Sequence, residues 1–336
     1  MKNNRICELL SIRYPIIQAP MSWLSDAVLV ASVSEAGGLG VLGPNAGAKT
    51  VNTDIMATAE QLRQQIKETK SLTSQPFGVN VMCFAQDQPY SDECVKVILE
   101  EGVAVACLCG DQPERYIKQF KSSGMKIIHR ALPLNNVEVA KKVEQLGVDA
   151  FAAVGYEGGG HLGTDAIPTF VLIPRIADAI EIPVLAGGGI IDGRGMLAAM
   201  ILGAEGVYMG TRFIATKECP AHSTYKQAII DASDTSTSVF TGKVALCRAF
   251  RTPLVDRFIK MEKAGTSNLE ENAKLHRHSL RPWITGDWDE AAFPCSAAVG
   301  LIKEVTSAAE VVQGMIKEMS QILENLHRGN FSSMTF

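Results

Sequence analysis

His161 stands in the run Gly155-Tyr156-Glu157-Gly158-Gly159-Gly160-His161-Leu162-Gly163. An imidazole in such a glycine setting can take or give a proton near neutral pH. The plainer alternative is a loop histidine that caps a backbone carbonyl. Thirty-one residues earlier, Arg130 ends a short apolar run. Its planar fork of donors suits a phosphate or the negative charge of a reduced cofactor, and equally a surface salt bridge.

The second chemical feature is built almost without side chains. Glu181 to Thr211 reads EIPVLAGGGIIDGRGMLAAMILGAEGVYMGT. Gly187, Gly188 and Gly189 follow one apolar run, and Met209, Gly210 and Thr211 close the next. Both ends lead into helices. Strand ends of this kind offer backbone N–H groups and the positive end of a helix dipole, which together hold anions. Tight αβ turns with no ligand are the competing reading. Asp192 sits where a helix N-cap belongs, so a cap is expected there in place of a catalyst.

What is missing narrows the chemistry further. No pair of carboxylates gathers at the strand ends, which argues against glycosidase chemistry. The eight cysteines are scattered without a CxxC pair, and none lies in the loop that carries His161. They are expected to be buried reduced thiols in a cytoplasmic protein. His129 is expected to be structural. Trp23, Trp283 and Trp288 are candidates for pocket walls or core. A base, a cation and a phosphate cradle without a nucleophile point to a bound cofactor that does the hard chemistry.

These groups need a scaffold that brings distant strand ends together. Short apolar runs at 14–19, 39–42, 76–84, 103–109, 126–129, 150–154, 182–186 and 206–209 read as strands buried on both faces. Helical segments alternate with them. Eight such units, with phosphate-type glycines on the last two, predict a TIM-type (β/α)8 barrel of the α/β class. Residues 1–220 form the barrel, and a closing helix within 306–336 completes it. Helical segments are expected at 224–232, 253–264 and 269–276, giving a smaller C-terminal helical subdomain over 221–305 that covers the barrel mouth.

The chain has 336 residues, a net charge of −4 and no basic block, so nucleic acid and anionic membranes are unexpected partners. No apolar run reaches the ~20 residues of a membrane span, and the start does not read as a signal peptide. A homodimer is expected on general grounds.

YPIIQAPMSW, EAGGLGVLG, QPFGVNVM, GYEGGGHLG, IPVLAGGGIIDGRG and GAEGVYMGTRFIATKECPAH together resemble the nitronate monooxygenase (2-nitropropane dioxygenase-like) flavoproteins. They equally resemble the FMN-type enoyl-acyl-carrier-protein reductases. GDWD followed by PCSAAVG looks like a further family element. The resemblance implies FMN across the barrel mouth, its phosphate near Gly187, Gly188, Gly210 and Thr211. Gly159, Gly160, Gly189 and Met209 are expected beside it. By the same resemblance the isoalloxazine ring contacts Pro20, Met21, Ser22, Asn80 and Met82, Arg130 faces the electron-rich edge of reduced flavin, and His161 is the catalytic histidine. The implied substrates are alkyl nitronates, or NAD(P)H with a small acceptor such as a quinone. An enoyl thioester on acyl carrier protein is the alternative, for which Lys243, Arg248, Arg251 and Arg257 are a candidate docking cluster. A non-catalytic flavin-binding module is a further one. Val154 departs from the pattern, since many relatives carry an acidic residue there.

Overall fold

A computed structural model describes residues 4–50, 52–242, 245–266 and 282–328. Eight strands make one parallel sheet: β1 (Ile16–Gln18), β2 (Val41–Leu42), β3 (Gly78–Cys83), β4 (Val105–Gly110), β5 (Lys126–Arg130), β6 (Ala150–Val154), β8 (Val184–Gly187) and β9 (Gly206–Met209). They run β1-β9-β8-β6-β5-β4-β3-β2. A parallel bridge between Ile17 and Leu39 joins the two ends and closes the barrel. Gln18 N–H donates to the Leu39 carbonyl at 2.9 Å and Leu39 N–H to that of Ile16 at 2.9 Å. The predicted barrel strands are thus all present and closed in order.

Strand alternation sorts the side chains into two cores. Ile17, Val105, Cys107, Ile128, Ala152, Leu185 and Tyr208 pack inside the barrel, and Ile6 and Leu10 of the N-terminal helix Arg5–Leu10 join that cluster. Residues one step along, such as Val79, Leu108, Ile127, Phe151 and Val207, pack outward against the helices. Each fully buried aliphatic side chain contributes about 1.5–3 kcal/mol. By this alternation Arg130 lies two residues beyond inward-facing Ile128 and shares its side of the strand. The sequence thereby puts a guanidinium at the top of the barrel bore.

The closing helix Ala308–Arg328 packs on the helices Gly193–Ile201 and Ala27–Glu35. Gly193 N–H donates to a Glu318 carboxylate oxygen at 2.8 Å, tying it down. Among the described residues no helix is long and apolar enough to cross a membrane.

The 221–305 region differs from the all-helical expectation. Helices Ser223–Ile230 and Pro253–Lys263 are present, but β10 (Thr237–Thr241) and β11 (Leu246–Phe250) lie between them. These pair antiparallel, and β11 pairs antiparallel with β7 (Gly160–Leu162). The region is therefore a mixed α/β cap. The glycine loop with His161 is one strand of its sheet. The helix expected at 269–276 lies outside the described residues.

Candidate active site

The cavity at the barrel mouth gathers residues from five barrel-strand ends and from the cap. Pro20 and Met21 follow β1, Arg130 ends β5, Gly159 precedes β7, Gly188 and Gly189 follow β8, and Met209, Gly210 and Thr211 stand at the end of β9. All nine were singled out from the sequence. Ala19, Gly158, Ile190, Ile191, Tyr208, Ile214, Pro294 and Ser296 also line it and were not, and so does Val154, noted above only as a departure from the family pattern. Inward alternation through Gly206 would have found Tyr208. Pro294 and Ser296 belong to the PCSAAVG element, whose place over the mouth depends on distant pairing.

The other expected residues lie around this cavity and do not line it. Gly187 is buried at the end of β8, and Asn80 Nδ2 donates inward to the Cys107 carbonyl at 2.8 Å. Ser22 and Met82 line a neighbouring cavity. Gly160 and His161 sit in β7, with His161 half-buried and paired to Cys247 of β11. Directly paired residues share a sheet face, so the imidazole lies on the Cys247 side. Its carbonyl accepts from Arg130 Nη2, which links the histidine strand to the cavity wall.

Two glycines differ in what requires them. Gly188 has φ +89°, and a methyl there would stand 2.7 Å from the Gly155 carbonyl oxygen, so the chain itself demands glycine. Gly210 has φ −108°, open to any residue. A methyl there would meet only the Met21 side chain, at an ordinary 3.6 Å. The space in front of Gly210 is cavity, and the protein's own packing does not demand a glycine there.

Glu157 is the positioning residue that sequence reasoning passed over. The helix Thr169–Ala177 has Pro168 as N-cap, which offers no side-chain acceptor. Glu157 supplies one from the glycine loop, accepting from Thr169 N–H at 2.8 Å and Thr169 Oγ1 at 2.7 Å. Thr169 Oγ1 also lies 2.9 Å from the Gly188 carbonyl, and the Glu157 carbonyl accepts from Ser296 Oγ at 2.7 Å. One residue thus ties the β8 glycines, the histidine loop and the cap together. On the β1 side, Gln18 and Ser25 do similar work: Ser25 Oγ accepts from Gln18 Nε2 at 2.8 Å and from Met21 N–H at 2.9 Å.

The electrostatics fit an anionic guest. No ion pair among the described residues includes Arg130, and its buried Nε has no hydrogen-bond partner. Burial pushes the Tyr208 phenol well above its usual range, so it stays protonated. Burial also raises the thiols of Cys219 and Cys247 to about 12, and pushes those of Cys107 and Cys295 up as well. All eight cysteines are free, and no thiolate nucleophile is available at neutral pH. Asp192 caps its helix, accepting from Arg194 N–H at 3.1 Å and Gly195 N–H at 3.2 Å. His129 lies outside the bore with Nε2 3.1 Å from the Gly110 carbonyl, a structural place.

The tryptophans are core and cap residues in place of cavity walls. Trp23 is buried at φ +70°, Trp283 Nε1 donates to the Ala292 carbonyl at 2.8 Å, and Trp288 stacks on Phe293 with ring centroids 4.6 Å apart. Of the candidate docking cations, three are among the described residues. Arg248 turns to the glycine loop, donating to the Tyr156 carbonyl at 3.1 Å with its guanidinium 5.1 Å from the Tyr156 ring centre. Arg251 pairs with Asp256 at 2.8 Å. Arg257 is exposed, and Lys243 lies outside the described residues.

The nitronate monooxygenase family model matches residues 3–318. The chain belongs to the nitronate monooxygenase family. A probable nitronate monooxygenase of Staphylococcus aureus (strain MSSA476) is 37% identical over 286 residues, 72% of this chain and 77% of its own. The solved structure of FabK from Thermotoga maritima superposes with a TM-score of 0.87 at 36% identity, covering 97% of this chain and 99% of that one. A nitroalkane oxidase from Streptomyces ansochromogenes shares the fold, with a TM-score of 0.78 at 24% identity over 96% and 99% of the two chains. Nitronate monooxygenases are flavin-dependent oxidoreductases, and this chain is an oxidoreductase of that family. Its residues fit a flavin nucleotide: a half-buried arginine with no carboxylate partner among the described residues, a glycine face with room in front of it, and no competing nucleophile.

Proposed function

We propose that the protein is an FMN-dependent oxidoreductase that oxidises alkyl nitronates or passes electrons from NAD(P)H to a small acceptor such as a quinone. The observation that carries the reading is the cavity between Gly188, Gly189, Gly210 and Thr211 on one side and Arg130 on the other. At about 110 Å³ it is narrower than the roughly 300–1,000 Å³ of a whole small-molecule site, so it suits a phosphate and slim chain in place of fused rings. The rings would then lie outward over Pro20, Met21 and Ser22. FMN bound there would supply the two-electron acceptance and return that no side chain of this site can perform.

The protein's own residues would hold and orient. Gly188, Gly189, Gly210 and Thr211 would present backbone donors to the phosphate. Arg130 would offset negative charge on the ligand or on a nitronate. His161, half-buried on β7, would hold or move a proton at the substrate, as hydrogen-bond donor to a nitro group or proton source to a reduced product.

The visible spectrum of the purified protein tests this first, followed by identification of the released chromophore. FMN is expected. A colourless protein that takes up no added FMN would end the proposal. Turnover is then compared with propyl nitronate, with NAD(P)H plus quinone, and with NAD(P)H plus crotonyl thioester. A rate with the thioester alone would replace this reading with enoyl reduction.

A further inference from the structure

Tyr208 begins on the glycine side of the mouth and ends elsewhere. On β9 it pairs with Ile17 of β1 and with Gly187 of β8. Its ring belongs to the cluster inside the barrel, beside Ile17, and Gly187 brings no side chain to crowd it. In the closed order of eight strands, β4 stands four places from β9 in either direction and so lies directly across the bore. A bore of this size is just wide enough for side chains to fill it. Cys107 of β4 shares the inner cluster with Tyr208, and the phenol lies within electrostatic reach of Cys107, Arg130 of β5 and Cys109. The side chain therefore spans the bore, from the strand of the phosphate turns to the strand of the arginine.

The hydroxyl it carries across makes no hydrogen bond among the described residues. Tyr208 is only 5% exposed, yet it lines the cavity at the mouth, so what stays accessible of it opens there. A ligand that fills this cavity without offering an acceptor would leave a buried hydroxyl unpaired, which is costly. Burial holds the phenol in its protonated form, so it can serve as a donor. Arg130 lines the same cavity, with one nitrogen given to the His161 carbonyl and its Nε without a partner.

The direction of the side chain says which part of a ligand it meets. The glycine turns that suit a phosphate follow β8 and β9, and the phenol points away from them, toward β4 and β5. An acceptor for it must lie over the bore, on the side of Arg130. That is the side where a ring lying over Pro20 and Met21 turns its inner edge.

We propose that Tyr208 contacts the cofactor and tunes it, its phenol donating to a carbonyl oxygen on the bore-facing edge of the flavin ring beside Arg130. The assignment rests on the FMN reading above. A donor bonds a charged acceptor more strongly than a neutral one. Tyr208 therefore holds the reduced, electron-rich ring more tightly than the oxidised one and raises its reduction potential.

The test compares the flavin-loaded wild type with Tyr208→Phe, which removes the oxygen and keeps the ring. Affinity for FMN is read from the flavin fluorescence released on dilution, and the potential of the bound flavin by equilibration with a dye of known potential. Oxidised FMN is expected to bind about three- to ten-fold more weakly, as for one lost hydrogen bond. Reduced FMN should weaken about ten-fold more than that, which lowers the two-electron potential by about 30 mV. Far-ultraviolet circular dichroism should be that of the wild type, since no hydrogen bond within the protein is lost. An equal loss for both redox forms, with the potential unchanged, would put the phenol on the phosphate or its chain and overturn the assignment. Wild-type affinity and potential in Tyr208→Phe would overturn it as well, because the hydroxyl would then meet no ligand. Both outcomes leave the FMN reading intact, whereas a wild type that holds no flavin removes both.

Discussion

The two sides of the mouth are built by different means. On the β8–β9 side the surface is backbone, and each glycine turn lies within a few residues of the strand that positions it. On the β7 side a side chain is presented, and its strand exists only because β11, more than eighty residues later in the chain, pairs with it. One side is specified locally and the other by tertiary contact. The first should therefore tolerate change in the cap, and the second should not.

The largest expected effect is on the histidine side. His161→Ala should lower turnover by about 10²–10⁴-fold, as for a lost acid–base group, while the absorbance of bound flavin is unchanged. A wild-type rate in that variant would break the contrast, since both sides would then only bind.

Gly210→Val is the matching test of the backbone side. The position accepts a side chain as far as the protein is concerned, so thermal stability should hold. Overpacking of about 1–3 kcal/mol should appear instead as roughly ten- to hundred-fold weaker FMN, measured by titration of the flavin-free protein. Lost stability with unchanged FMN affinity would mean that the cavity before Gly210 has no ligand in it.

Glu157 connects the two sides, and its removal sharpens the comparison. Glu157→Ala leaves Thr169 N–H and Oγ1 without their acceptor and should cost about 1–3 kcal/mol in urea unfolding. Gln in place of Glu should recover part of that.

The effect that vanishes at neutral pH separates fold from site. Burial pushes His129 down to about 4, below the 6.5 of an exposed histidine. The unfolded chain therefore binds the proton first as pH falls. Stability should drop by up to about 1.4 kcal/mol per pH unit between 6.5 and 4 and level off below, and above 6.5 His129 contributes no slope. Comparing urea midpoints of wild type and His129→Gln across that window isolates this term. A slope identical in both would show that His129 is already charged in the folded protein.

Legibility in the sequence follows the same division. Each barrel strand is a continuous apolar run because it is buried on both faces, so all eight could be read. The glycines after β8 and β9 could be read because their geometry is set within a few bonds. Thr237–Thr241 and Leu246–Phe250 were missed as strands: they pair with each other, and only the second pairs with three residues of a glycine loop, which no local pattern announces. Ser296 and Pro294 reach the cavity through the same cap. Glu157 went unnoticed because the feature that needs it, a helix started by Pro168 without an acceptor of its own, lies eleven residues away.

The hydrogen bonds between β7 and β11 make the cap and the histidine a single mechanical piece. Residues 160–162 cannot stay in place if the hairpin lifts, and the hairpin cannot lift without pulling them. A movement of the hairpin would carry His161 with it. A substitution that shifts the hairpin would therefore be felt at residues 160–162 as well.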